Sequence, residues 1–232
     1  MIPKIIHYIW VGRSPKSKAI KACIASWKKR LPDYKIIEWN EDNIDLHENR
    51  YIEQAYNAKK WAFVSDYVRA KAINEMGGIY LDTDVMVLKS FDTLLKDPAF
   101  IGFENQNYLS AAIFGAEKGH PFVKELLHYY DDLDFKFDPN DQMAGVNSLS
   151  VTDILKKFGL KTGNYNQVID EGIHVYQDGF LCNPSPDSYS IHLFTGTWMN
   201  GKKSWKHDLV VWLKLHIKTP RAANMYYKAF RR

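Results

Sequence analysis

Gly77-Gly78-Ile79-Tyr80-Leu81-Asp82-Thr83-Asp84 is the stretch whose reading decides the fold. A glycine pair stops what precedes it, three apolar residues follow, and two carboxylates two positions apart close the run. In a strand, alternate side chains share a face, so this spacing predicts that Asp82 and Asp84 converge on one point at the end of a buried strand over 79–87. Paired hard oxygen donors suit Mg2+ or Mn2+, which take a few protein carboxylates and fill the remaining positions with water or phosphate oxygens.

The residues before this run read as a helix. Lys60 to Met76 is long and helix-forming, with Gly77 where a glycine C-cap is expected. Asp66 and Arg69 are three residues apart on it and therefore share a face. Working outward, Lys4–Trp10 reads as a buried first strand. A helix over Lys18–Arg30 places Ile20, Cys23, Ile24 and Trp27 at helical spacing and ends at Leu31-Pro32. Tyr34–Trp39 is a second strand and Tyr51–Tyr56 a further helical segment. Beyond Asp84, strands are expected over 100–104, 111–115, 173–176 and 191–194, with helices over 121–130 and 150–158. Alternation of this kind predicts an α/β protein with a mixed sheet between helices.

The 232 residues suffice for one substantial core. The predicted organisation is a main domain over 1–200 and a basic, aromatic helical tail over 201–232. From Met199 onward nine Lys/Arg face a single acid, Asp208; the rest of the chain has 22 basic against 26 acidic residues and is mildly acidic. Within the tail, Trp205, Leu209, Trp212, Leu213 and His216 recur at near-helical spacing among Lys206, Lys214 and Lys218. That is the composition of a segment for peripheral membrane association, or of a terminal helix packed on the domain with a solvated basic face. No recognition motif accompanies the basic patch, so nucleic acid is not an expected partner. Cys23 and Cys182 have no metal-type spacing and are expected to be free buried thiols. The first ten residues lack the features of a signal peptide and no run approaches a membrane span, so a cytoplasmic protein is expected.

Four segments together resemble the family 32 glycosyltransferases, the bacterial capsule and exopolysaccharide sugar transferases related to yeast mannosyltransferases and to large clostridial glucosylating toxins. They are Ile2-Pro3-Lys4-Ile5-Ile6-His7 with Trp10-Val11-Gly12, the helix carrying Asp66-Tyr67-Val68-Arg69, the run from Gly77 to Asp84, and His192-Leu193-Phe194-Thr195-Gly196-Thr197-Trp198. The resemblance is closest over 2–90 and returns at 192–198. It implies the GT-A fold, a nucleotide-sugar donor, Mn2+ or Mg2+, and a retaining transfer.

By the same resemblance Asp84 is a direct metal ligand, and Asp82 contacts the metal and the ribose or sugar. Asp66 grips sugar hydroxyls, Arg69 lies near sugar and phosphate, Trp10 packs on the nucleotide base, and Tyr80 sits against the donor. His192 is a candidate third metal ligand, Thr197 a metal or phosphate contact, and Trp198 a lid. Lys202 and Lys203 are placed to neutralise phosphate as that segment closes. Polar clusters at Glu104-Asn105-Gln106-Asn107, Asp141-Gln142 and Asn147 are candidate acceptor contacts. No carboxylate is positioned as a covalent nucleophile, which points to front-face attack.

The expected reaction is transfer of a hexose from UDP-galactose or UDP-glucose to a glycan or polyprenyl-linked glycan acceptor in surface polysaccharide synthesis, at the inner face of the membrane. GDP-mannose as donor is the first alternative. A nucleotidyltransferase would want a glycine-rich basic loop that Val11-Gly12-Arg13-Ser14 does not supply, and a non-catalytic sugar-binding effector would not need all four of Asp66, Arg69, Asp82 and Asp84.

Overall fold

Strand β1 (Ile5–Ile9) lies second in a seven-stranded mixed sheet. Helix α1 (Lys18–Arg30) returns the chain to β2 (Lys35–Trp39), parallel to β1 on one side; α2 (Arg50–Asn57) and α3 (Trp61–Met76) lead to β3 (Gly78–Leu81), parallel to β1 on the other. After β4 (Val85–Val87) come β5 (Ala99–Phe103) and β6 (Leu109–Ala116), an antiparallel hairpin whose second strand pairs with β3. Helices α4 (Pro121–His128) and α5 (Asn147–Lys156) precede β7 (Gln167–Ile169) and β8 (Ile173–Tyr176), and β8 adds parallel to β5. The short α6 (Asp178–Leu181) leads to β9 (Ser190–His192), and two helices, α7 (Trp205–Leu215) and α8 (Pro220–Phe230), close the chain. Sheet order is β2-β1-β3-β6-β5-β8-β7, and β4 and β9 form a separate two-stranded ribbon. This computed structural model describes residues 1–137, 147–196 and 204–230.

The expected boundaries of α1 and β8 are those observed, and those of β1, β2, α2 and α3 lie within a residue. The strand expected over 79–87 is two strands, with Asp82-Thr83-Asp84 in a turn between them, closed by Val85 N–H donating to the Asp82 carbonyl at 3.0 Å. Pleat alternation therefore does not bring the two carboxylates together. The turn does. Helix α5 begins three residues earlier than expected, and β7 and α6 have no counterpart in the sequence reading.

The glycine pair has a steric reason. Gly77 caps α3, its N–H donating to Ile73 at 2.8 Å, with φ at +66°. Gly78 has φ of +114°, and a Cβ there would stand 2.7 Å from the Ile5 carbonyl oxygen. Only residues without a side chain let β3 start flush against β1.

Apolar side chains pack on both faces of the sheet. One layer, with Tyr67, Tyr80, Phe114 and Tyr130, lies under α2 to α5; the other gathers around Trp27 of α1 and Phe91. A third cluster joins Cys23, Met86, Ile191 and Leu193 to Ile217 and Ala223, so the tail helices rest on the ribbon and α1. Cys23 and Cys182 are both free and buried. Among the described residues no helix is long and apolar enough to cross a membrane.

Candidate active site

The site forms where β3 runs out of the sheet. The Asp82 N–H donates to the Ala112 carbonyl of β6 at 2.8 Å, and the Leu193 N–H donates to the Asp84 carbonyl at 3.0 Å. The turn is thus pinned between the main sheet and the segment after β9. Antiparallel pairing sets His192 opposite Val85, which brings a residue more than a hundred positions away onto the turn. One ligand atom each from Asp82, Asp84 and His192 lies within 4.8 Å of the other two. Two carboxylates and an imidazole are a donor set that Mn2+ accepts, and Mg2+ through its oxygens.

Asp84 is held from three directions. Thr195 donates to Oδ2 through both its N–H and Oγ1, at 2.8 Å each, and His192 Nε2 lies 3.1 Å from Oδ1. Burial opposes ionisation of Asp84, but the charge and hydrogen bond of His192, with the two Thr195 donors, outweigh it and hold the carboxyl below the usual carboxylate range. Burial also opposes the imidazolium, and the Asp84 carboxylate overcomes it, raising His192 well above its ordinary value. A divalent ion bound here would replace a proton, so its binding would be favoured by rising pH. Nothing in the local sequence around Thr195 marks it as the residue that orients Asp84.

Arg69 organises the neighbouring half. Its Nη1 donates to the Ala111 carbonyl at 2.7 Å, Nε to the Ser65 carbonyl at 3.1 Å and Nη2 to the Ser65 hydroxyl at 3.1 Å. The same Nη2 lies 2.8 Å from Asp66 Oδ1 and 3.4 Å from Asp82 Oδ1. One guanidinium therefore ties the helix carboxylate to the turn, a task that needs its fixed fork of donors. Its central carbon sits 4.5 Å from the centroid of the Tyr80 ring. Tyr80 is only 2% exposed and its hydroxyl donates to Asp82. Tyr80, expected against the donor, supports Arg69 and Asp82 from beneath, because β3 is covered on both faces.

Asn147, expected at the acceptor, donates from Nδ2 to Asp66 Oδ1 at 2.8 Å and so joins the Asp66–Arg69 group. Asp66 is buried, and burial is the largest influence on it; Arg69 and Asn147 offset this only in part, leaving the carboxyl raised to about 6. A carboxyl raised in the fold adds stability that is complete below its unfolded value of 3.8 and is lost as pH rises through about 6. Urea titrations of the metal-free protein at pH 4 and pH 7 are expected to show a loss on the order of 3 kcal/mol from this group. In Asp66→Asn that component should vanish; an unchanged pH dependence in the variant would refute the assignment.

The remaining predicted residues divide. Trp10 is half-buried; its Nε1 donates to the Ser14 carbonyl at 2.8 Å, and it lines a cleft of about 420 Å³ with Lys16, Glu38 and Asn40. That cleft lies at the carboxyl ends of β1 and β2, where ligands bind in open α/β sheets, but none of the three metal-type donors lines it. Asn105 and Asn107 lie on the exposed turn between β5 and β6, where Asn105 Oδ1 accepts from the Asn107 N–H at 2.9 Å. Asn105 is thereby accounted for by turn formation, and neither residue is brought to the cluster. Glu104, at the base of the same hairpin, accepts from Ser148 Oγ at 3.3 Å; burial raises its carboxyl, against the opposing charges of His192 and Lys214. Asp141, Gln142, Thr197, Trp198, Lys202 and Lys203 lie outside the described residues.

Lys214 is expected among the basic residues of the tail, facing a membrane surface or solvent. Instead it is 6% exposed, donates to the His192 carbonyl at 2.9 Å and lies 4.5 Å from the centroid of the Phe194 ring. Helical spacing alone does not tell which lysine of α7 turns inward.

A mixed sheet with three parallel strands on one side, an Asp-x-Asp turn at the end of the third and a histidine brought back from a late strand define a GT-A type α/β protein with a candidate cation site. Residues 17–101 match the family described as glycosyltransferase sugar-binding region containing DXD motif. Over that stretch the chain is similar to these DXD glycosyltransferases. It is 31% identical over 137 residues to inositol phosphoceramide mannosyltransferase 3 of Schizosaccharomyces pombe, covering 54% of this chain and 36% of that protein. To mannosyl phosphorylinositol ceramide synthase CSH1 of Saccharomyces cerevisiae it is 31% identical over 144 residues, 56% of this chain and 36% of the relative. The matched stretch thus spans about a third of these relatives' length. Among solved structures, the PaToxG glycosyltransferase superposes with a TM-score of 0.50 at 23% identity, over 67% of this chain and 69% of that one, a likeness of fold.

Proposed function

We propose that this protein is a metal-dependent retaining glycosyltransferase that moves a hexose from a nucleotide sugar to a glycan or lipid-linked glycan acceptor in surface polysaccharide synthesis, working at the inner face of the membrane. UDP-galactose or UDP-glucose is the favoured donor. The observation that carries the reading is the meeting of Asp82, Asp84 and His192 within 4.8 Å, beside the Arg69–Asp66–Asn147 group. A bound Mn2+ or Mg2+ supplies Lewis acidity for the charge developing on a departing diphosphate.

The chain's own residues have separable tasks. Thr195 fixes the Asp84 carboxylate, and Tyr80 and Arg69 fix that of Asp82, so the ligands need little reorganisation when the ion arrives. Asp66, held by Arg69 and Asn147, presents a buried acceptor suited to sugar hydroxyls, and Arg69 places a fixed positive charge beside the turn. Trp10 offers an aromatic face for a nucleobase. For the organisation of the chain, the reading keeps a catalytic unit over 1–200 and a tail over 201–232.

A second donor is favoured by one observation: two of the relatives, both of Schizosaccharomyces pombe, are named as inositol phosphoceramide mannosyltransferases. GDP-mannose is therefore tested alongside the UDP-sugars. The experiment is release of free nucleoside diphosphate from a panel of both, with Mn2+ and with EDTA. Mn2+-dependent release from one donor is expected and names the sugar. If no donor is either hydrolysed or bound in a Mn2+-dependent way, the reading fails.

A further inference from the structure

Helix α7 has apolar residues on two opposite sides. Val211, Lys214 and Leu215 face the body, where the third core cluster and the His192 carbonyl take them up. On the opposite side Trp205, Leu209, Trp212 and His216, at i, i+4, i+7 and i+11, form one stripe. Its two indoles are 70% and 55% exposed and Leu209 is 46% exposed. Large apolar side chains lined up in water call for a cover. Basic groups surround the stripe: Lys206 and Lys218 flank it, and α8 carries Arg221, Met225 and Lys228 outward at i, i+4 and i+7, all exposed. Asp208 is the one acid in this stretch of sequence.

We infer that the outward side of α7, with the basic residues of α8, docks this protein on an anionic lipid bilayer. Tryptophan and leucine side by side suit the boundary between headgroups and acyl chains, and a lysine and arginine surround suits an anionic surface. Pairing this face with its own copy would set the basic surplus against itself, and a nucleic acid would leave the indole–leucine stripe without an apolar partner. The placement matters for the reaction. Beyond Lys214, His207 Nε2 lies 2.9 Å from the Phe194 carbonyl, one residue from Thr195, and Arg30 donates to the Lys218 carbonyl at 3.0 Å. The helix is clasped to the segment that carries His192 and Thr195. A bilayer against its outer side would lie about one helix diameter, ~10 Å, from the candidate cation site. This use of the surface rests on the proposed function, since a lipid-linked acceptor would present its sugar at that height.

The test is flotation of the full chain with phosphatidylcholine vesicles, with and without about a third phosphatidylglycerol. Binding is expected to the anionic vesicles only and to fall with added salt. The triple variant Trp205→Ser, Leu209→Ser, Trp212→Ser and the variant Lys206→Glu, Lys218→Glu, Arg221→Glu, Lys228→Glu should each weaken it at least ~10-fold. Donor hydrolysis in detergent-free buffer should stay at the parental rate in both, which reports an intact fold. The inference is overturned by absence of flotation, by flotation indifferent to both variants, or by a dimer in light scattering that the triple variant dissociates. Flotation of a parent that neither hydrolyses nor binds any donor in a Mn2+-dependent way would leave the docking standing and remove the transferase reading.

Discussion

Asp84→Asn is expected to reduce Mn2+-dependent nucleoside diphosphate release by about 10³-fold, because a metal ion supplies several kcal/mol of transition-state stabilisation and each 1.4 kcal/mol is roughly tenfold in rate. Asparagine keeps the volume and one carbonyl oxygen, so it can still accept from Thr195, which donates to Oδ2 of the native carboxylate at 2.8 Å. It loses the charge that both the cation and His192 require. The same variant should lose the thermal stabilisation that Mn2+ gives the parent by mass action. Turnover and melting temperature, each with Mn2+ and with EDTA, read the two effects separately. A variant that keeps its Mn2+-dependent turnover and thermal shift would show that Asp84 holds His192 and not an ion.

Arg69→Met should cost more stability than any other single change at the site, on the order of 3–5 kcal/mol, since removing one partner of a buried pair leaves the other charge uncompensated. Both side chains are nearly closed to solvent, at 5% for Arg69 and 10% for Asp66. The cost is not the strength of one contact. Arg69 also donates to the Ala111 and Ser65 carbonyls, and both lose that side-chain donor when it is removed. Arg69→Lys keeps the charge but not the fork and should fall between the parent and the methionine variant. In Asp66→Asn with Arg69→Met, part of the loss should return, because no buried carboxylate is left without its cation. Urea unfolding of the four proteins closes the cycle, and strict additivity would mean that the two residues do not act as a pair.

Much of the α/β framework can be read in the chain because the signals are local. Helix α3 follows from a long helix-forming run closed by Gly77, and β1 and β2 from short apolar segments separated by turn residues. Asp82, Asp84, Asp66 and Arg69 were also legible, since their spacings of two and three are set by a turn and by a helix. What brings the two aspartates together is nonetheless a turn and not strand alternation. Alternation in a strand and closure of a tight turn both bring residues i and i+2 together, and sequence spacing does not distinguish them.

Contacts across long separations were not legible. Asn147 reaches Asp66 from 81 positions away, Thr195 reaches Asp84 from 111, and Lys214 turns inward to the His192 carbonyl. Each depends on how β9, α5 and α7 are laid on the sheet, which no local period encodes. Tyr80 is a further case: nothing local in the motif tells that the packing of β3 between two layers buries its ring.

By itself the sequence determined the α/β class, the helix that pairs Asp66 with Arg69, the aspartate pair, and the basic and aromatic character of the last thirty or so residues. Composition, periodicity and turn chemistry act over a few residues, and those features need nothing more. The tertiary structure alone decided that His192 stands beside Asp82 and Asp84, that Thr195 holds Asp84 while Asn147 holds Asp66, and which side of α7 faces solvent. Those outcomes follow from strand pairing and burial, where the partner of each residue is chosen by the whole fold.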